Sequence, residues 1–263
     1  METYFIHLCE KGDLIEAQQI LQSNPELISQ DYNGYEIAFR RACNRGQLDV
    51  CQWLLQVSKE KGLAINISAY DEVNFRIACE NGHLHVCQWL LQVSKEMGQN
   101  INTSAKGEYA FRYACKNGHL VICQWLLHVS KEMGQDINIS AKEEYAFMFA
   151  CCNRHLHVAQ WLYEVSKEKK RHINISINGD YLFRYACRLG YLDLIKLLQS
   201  INPHLYEIIY DKNGKPIGAE IRYKAQTNWD KRKYGLFLST NKEEPNLLYN
   251  LPTDLAKMAL QFV

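Results

Sequence analysis

Apolar residues return along this chain in one fixed order. The run Phe-x-x-Ala-Cys stands at Phe75–Cys79 (FRIAC), Phe111–Cys115 (FRYAC), Phe147–Cys151 (FMFAC) and Phe183–Cys187 (FRYAC), 36 residues apart each time. An earlier copy begins at Phe39 (FRRAC), again 36 residues before Phe75, and a divergent one at Phe5 (FIHLC) lies 34 residues before that. Within a unit, Phe111, Ala114 and Cys115 share one helical face until Asn117-Gly118 breaks the pattern. A second helix follows, with Leu120, Cys123, Leu126 and Leu127 on a wider stripe, Trp125 beside it, and a stop near Gly134. Asp136–Ser140 alternates β-branched and polar residues and leads into the next loop. The unit is therefore helix, tight turn, helix, projecting loop. A constant period of this length predicts stacked units sharing one continuous core, an architecture that usually binds rather than catalyses.

The pattern weakens at both ends. Phe5 to Leu21 is more polar on its second helix and stops at Asn24-Pro25. The last unit has Tyr191 in place of a turn histidine, lacks the Trp and ends at Asn202-Pro203. Beyond it, Leu205 to Tyr210 and Ile217 to Tyr223 flank Asp211–Lys215, whose Asn-Gly predicts a β-hairpin. A short strand at Gly235–Ser239 and an amphipathic helix from Pro252, with Leu255, Met258, Ala259 and Phe262 on one face, complete the expected elements. The segments divide into an N-terminal cap at 1–32, repeats at about 33–68, 69–104, 105–140, 141–176 and 177–201, and a 202–263 extension.

With 263 residues, 47% hydrophobic and 22% charged, the chain has enough apolar content for a large core. Its formal charge of +1 gives no electrostatic case for nucleic acid or an anionic membrane as the main partner, and no apolar run reaches membrane-span length. METYFIHLCEKGD does not read as a leader, so a cytosolic monomer is expected. The ten cysteines follow the repeat register, as Cys43/Cys51, Cys79/Cys87 and Cys115/Cys123 plus Cys9, Cys151, Cys152 and Cys187, which suits small apolar fillers of a helix seam and free thiols. Cys79, His83, His85 and Cys87 offer zinc-binding atoms, but without the CxxC or HxxxH spacing of a structural zinc site. No cofactor is called for.

The unit resembles the ankyrin repeat. Asn81-Gly82-His83-Leu84 and Asn117-Gly118-His119-Leu120 match the GHL turn, and Trp89-Leu90-Leu91 and Trp125-Leu126-Leu127 stand at the leucine run. Ile101-Asn102 and Ile137-Asn138 match the closing Val-Asn. The opening departs, since YAFRYAC replaces TPLHxAA and puts Arg76, Arg112 and Arg184 at the histidine position. The step exceeds the family's ~33 residues, and Val-Ser-Lys-Glu after the leucines fits an added turn of the outer helix. The resemblance implies an all-α ankyrin-type helix-turn-helix solenoid with a small α+β C-terminal cap. It also implies a partner protein held on a concave face and loop tips. The style is similar to ankyrins of giant viruses and intracellular bacteria, which implies a host-directed effector. LPTDLAKMALQF looks like the opening of an F-box, with Leu251, Pro252, Leu255, Leu260 and Phe262 facing a Skp1-type partner; that gives an alternative ubiquitin-ligase adaptor, although the full motif needs more helices.

Positions that vary between matching units are the candidate contacts. The turn-proximal set is Glu80, Asn81, Lys116, Asn117, Asn153 and Arg188, and the loop-tip set is Asp71, Glu72, Lys106, Glu108, Glu143, Glu144 and Asp180. Either set is a binding surface or solvated filler. A third series, Tyr113, Phe149 and Tyr185, either anchors a partner or packs between repeats. Catalysis finds no nucleophile–base pair, phosphate loop or HExxH motif. The cationic run Trp229–Tyr234 reads as a solvated loop or, less simply, a phosphate contact.

Overall fold

The computed structural model describes residues 1–28, 34–63 and 65–221. Among them twelve α-helices alternate as inner and outer members of six pairs, so each repeat of the sequence is one stacked unit. The inner helices are α1 (Glu2–Lys11), α3 (Gly34–Arg45), α5 (Ala69–Glu80), α7 (Ala105–Lys116), α9 (Ala141–Cys152) and α11 (Ile177–Leu189). The outer ones are α2 (Leu14–Ser23), α4 (Leu48–Glu60), α6 (Leu84–Glu96), α8 (Leu120–Glu132), α10 (Leu156–Glu168) and α12 (Leu192–Ile201). Backbones of neighbouring units approach most closely from inner helix to inner helix.

The Phe-x-x-Ala-Cys face is dry because it meets its own outer helix and the next unit together. Phe75, Ala78 and Cys79 are wholly buried, as are their counterparts at Phe111, Ala114 and Cys115. Each outer Trp then leans on the Phe of the preceding unit: Trp53 on Phe5, Trp89 on Phe39, Trp125 on Phe75 and Trp161 on Phe111, with ring centroids 6.1–6.3 Å apart. Such tilted and edge contacts contribute beyond the area they bury, so the Trp series joins units rather than decorating them. The Val-Ser-Lys-Glu segment lengthens the outer helix, as expected. α4, α6, α8 and α10 have 13 residues where α2 and α12, which lack it, have 10. Its serine is buried, and Ser58, Ser94 and Ser166 each donate to the carbonyl three residues back at 2.7–2.9 Å.

The inner helices begin unusually. Tyr70–Glu72, Lys106–Glu108 and Lys142–Glu144 each take three consecutive left-handed residues, with φ between 52° and 64°. Left-handed backbone costs ~1–2 kcal/mol for each residue with a Cβ, so these turns need outside support. Arginine supplies part of it: Arg76 Nε donates to Asp71 O at 2.6 Å, and Arg112 Nε to Gly107 O at 2.7 Å. The arginine that replaces the family's histidine thus ties down the turn. The last acid of each turn supplies the rest, because Glu72, Glu108 and Glu144 accept the backbone N–H of Asn102, Asn138 and Asn174 at 3.2–3.3 Å. Each carboxylate staples its unit to the next.

The stack closes on a two-stranded antiparallel sheet, β1 (Tyr206–Tyr210) and β2 (Pro216–Ile221). Its turn is held by Asp211, whose carboxylate accepts the N–H groups of Asn213 and Lys215 at 2.8 Å, with Gly214 at φ 75°. Tyr206 is wholly buried, stacks on Phe183 at 4.2 Å and donates its hydroxyl to Asp180 at 2.8 Å. It therefore covers the last Phe of the series and bonds the acid at the place of the last staple. The strand, amphipathic helix, F-box-like segment and cationic run expected after Tyr223 lie outside the described residues.

Candidate functional site

The turn between inner and outer helix comes first, because it decides which polar residues are available. Gly82 has φ 86°, and a Cβ there would stand 2.7 Å from His119 of the next unit. Into that space each turn histidine inserts its ring, His83 Nε2 lying 3.0 Å from Asn44 O and His119 bonding the Glu80 carbonyl. Asn117 and Asn153 also reach back, donating to Glu80 O at 2.7 Å and Lys116 O at 3.0 Å. Asn81 bonds Asn44 Oδ1 at 2.6 Å. These turn residues hold units together.

Burial is the first cause pulling His83, His119 and His155 below the ordinary histidine value, with His85, His157 and His119 as neighbouring charges that add to it. A folded-state value below the unfolded one means that the unfolded chain takes protons first. Stability from these rings is complete above about pH 6.5 and is lost as pH falls through their folded values. Glutamine occupies the equivalent place in the first repeat, where Gln47 donates to Lys11 O at 3.0 Å. A His83→Gln/His119→Gln/His155→Gln variant is expected to lose less stability between pH 7.5 and 5.5 than the parent. Urea melts across that range check it, and parallel curves refute it.

The loop-tip acids need correcting. Glu72, Glu108, Glu144 and Asp180 are not surface contacts: they are 3–7% exposed, and the left-handed turn aims them into the next unit or the closing hairpin. Asp71 and Lys106 stay outside and pair with each other at 2.8 Å. Glu143 and Arg188 are exposed.

What the inner face does bring together is a ladder of rings. Tyr113 stacks on Tyr109 at 4.0 Å and meets Tyr145 at 5.6 Å; Tyr145 stacks on Phe149 at 3.9 Å; Tyr181 lies 5.8 Å from Tyr185. Phe149, with Met148, is buried between Tyr145 and Tyr181, so it packs between repeats rather than facing out. Tyr113 and Tyr185 are half-buried, and Tyr185 donates to Cys152 O at 3.4 Å. Cations lie over the ladder: Arg76 over Tyr109 at 4.6 Å, Arg112 over Tyr145 at 4.7 Å and Lys116 over Tyr113 at 5.0 Å. Glu80 accepts the Tyr109 hydroxyl at 2.7 Å.

A family model described as ankyrin repeats, in three copies, matches residues 39–141 and 113–208. The chain belongs to the ankyrin-repeat family. It is also similar to an ankyrin repeat family protein from Legionella pneumophila known from an X-ray structure, with 25% identity, a TM-score of 0.41, and coverage of 76% of this chain and 69% of that one. No curated protein matches.

Within this ankyrin-repeat chain the sequence singled out the Tyr113 series but passed over Tyr109, Tyr145 and Tyr181, which also recur at 36 residues and supply half the ladder. The cysteines are free thiols. The Cys43/Cys51, Cys79/Cys87 and Cys115/Cys123 sulfurs stand 3.3–3.6 Å apart, and burial pushes the Cys152 thiol up to about 12. His83 and His85 face carbonyls of the preceding unit, and among the described residues no three His, Cys, Asp or Glu side chains are placed to hold a metal. No described helix is long and apolar enough to cross a membrane.

Proposed function

We propose that this protein is a scaffold that holds a partner protein on its inner-helix face. The observation that carries the reading is the half-exposed ladder from Tyr109 to Tyr185 with Arg76 and Lys116 over it, since aromatic rings and Arg dominate binding hot spots. Ankyrin repeats are in general protein-binding modules, which supports the same role. The contact set is Tyr113, Lys116 and Tyr185, with Asp71, Glu80, Lys106, Glu143 and Arg188 at its edges. Residues 34–201 form the binding unit and the hairpin closes it. A cytosolic setting, that of a host cell for an effector, accords with ten cysteines kept as thiols.

The test pairs Tyr113→Ser with Lys116→Glu, both half-buried positions outside the staples, and measures protein retained from a eukaryotic lysate. The double variant is expected to keep its circular dichroism and a cooperative melt, at a lower midpoint because the Tyr113–Tyr109 stack is lost, while retaining at least about tenfold less of the wild-type partner, the loss of one hot spot. Undiminished retention moves the site off this face.

A further inference from the structure

We propose that the inner-helix face over α7, α9 and α11 holds an extended, proline-rich segment of the partner with an acidic side chain at every third residue. This rests on the binding role above and names the chemistry of the segment.

Charge carries the first part. Lys116 ends α7, Arg154 stands in the turn after α9 and Arg188 lies in the last turn of α11, so three successive units each put one cation at the turn end of the face. All three belong to the ring ladder: Lys116 lies over Tyr113, Arg154 over Tyr191 at 4.6 Å, and Arg188 within electrostatic reach of Tyr181. Among the described residues none of the three has an ion-pair partner, whereas Arg45, at the turn end of α3, is paired with Glu10 at 2.9 Å. The acids of the same helices leave the row open, because Glu108, Glu144 and Asp180 are buried and Glu143 is at the opposite, loop end. In α5 the place of Lys116 belongs to Glu80, so the row starts at α7. Complementary charge selects and orients a partner, and the complement of this row is a row of carboxylates.

The rings decide what lies between those carboxylates. Tyr113 and Tyr109 are stacked on each other, as are Tyr145 and Phe149, and Lys116 and Arg112 cover Tyr113 and Tyr145. Faces so occupied cannot take the bases of a single-stranded nucleic acid, which stack on open rings. What half-exposed rings still offer is edges and phenol donors. Tyr109 and Tyr185 spend their hydroxyls on Glu80 and Cys152, but those of Tyr113, Tyr181 and Tyr191 make no hydrogen bond among the described residues. A polyproline II segment suits such a surface, since its carbonyls have no internal partner and its prolines pack on aromatic side chains.

Spacing joins the two. Packed helices stand ~8–10 Å apart, and one three-residue turn of polyproline II rises about 9 Å. Because α7, α9 and α11 pack in that order, one turn of the segment crosses one unit. Its side chains at i, i+3 and i+6 point the same way, so each turn brings one acid to one cation. A β-strand, whose side chains alternate, would turn every second such acid away.

The full-length protein is titrated, by fluorescence anisotropy, with labelled (Glu-Pro-Pro)4, with a peptide of the same composition whose glutamates form one block, with (Lys-Pro-Pro)4 and with a dodecamer of thymidylate. The first is expected to bind at least about tenfold tighter than the blocked peptide and the oligonucleotide, and the lysine peptide not to bind. Lys116→Glu with Arg188→Glu is expected to reverse the order of the glutamate and lysine repeats, a result that a misfolded variant cannot give. Equal binding of the periodic and blocked peptides, no binding of either, or an unreversed preference in the double variant overturns the proposal. Tighter binding of the oligonucleotide also overturns it, in favour of nucleic acid. None of these probes is the partner, so their failure removes the acidic proline-rich segment alone, and the role of the face stands or falls on retention by the Tyr113→Ser/Lys116→Glu variant.

Discussion

Gly82→Ala is expected to destabilise the protein by roughly 2–4 kcal/mol, the sum of a left-handed alanine and a displaced buried hydrogen bond. The backbone at Gly82 has φ 86°, and the added methyl would stand 2.7 Å from the His119 ring that bonds the Glu80 carbonyl. Neither the backbone nor the ring can give way independently, because the ring is wedged between two units. The chain itself contains the way out. In the fourth repeat the glycine is replaced by Arg154 at φ 65°, and there the next unit carries Tyr191 instead of histidine, with the guanidinium 4.6 Å over its ring. Gly82→Arg with His119→Tyr is therefore expected to recover much of what Gly82→Arg alone loses. Urea melts of the two single variants and the pair form a double-mutant cycle; strictly additive losses would show that the turn and the neighbouring ring are not coupled.

The period was legible because every unit solves the same packing problem, so Phe111, Ala114, Cys115 and the Trp-Leu-Leu run return in register. The hairpin was legible for a local reason: Asn213-Gly214 sets the turn without help from the rest of the fold. The loop-tip acids were not. A polar loop before a helix reads as solvent-facing, and only three successive left-handed residues turn Glu108 inward onto Asn138, 30 residues away. A signal does exist, since Glu72, Glu108, Glu144 and Asp180 occupy one column while their neighbours change freely. Asn117 and Asn153 misled for the opposite reason: an asparagine at the end of a helix, beside a turn, reads as a local feature, yet both side chains clamp the preceding unit.

Tyr206→Ala is expected to cost about 3–5 kcal/mol, the usual loss for a large aromatic removed from a core, and to do so at one end of the molecule. Tyr206 does two jobs that an additional repeat would do. Its ring lies on Phe183, as Trp161 leans on Phe111, and its hydroxyl bonds Asp180, as the N–H of Asn138 bonds Glu108. Tyr206→Phe separates the two by keeping the ring, and is expected to cost ~1–3 kcal/mol for the donor taken from a buried carboxyl group. Stability in a stack is carried by neighbouring units, so damage to the last contact opens the last pair first. Hydrogen exchange of the Tyr206→Ala variant is accordingly expected to speed up in α11 and α12 while α5 to α8 keep their protection. Uniform acceleration along the whole chain would mean that the hairpin is bound into a single cooperative unit rather than closing the end of one. Unchanged exchange in α11 would mean that Phe183 is covered without it.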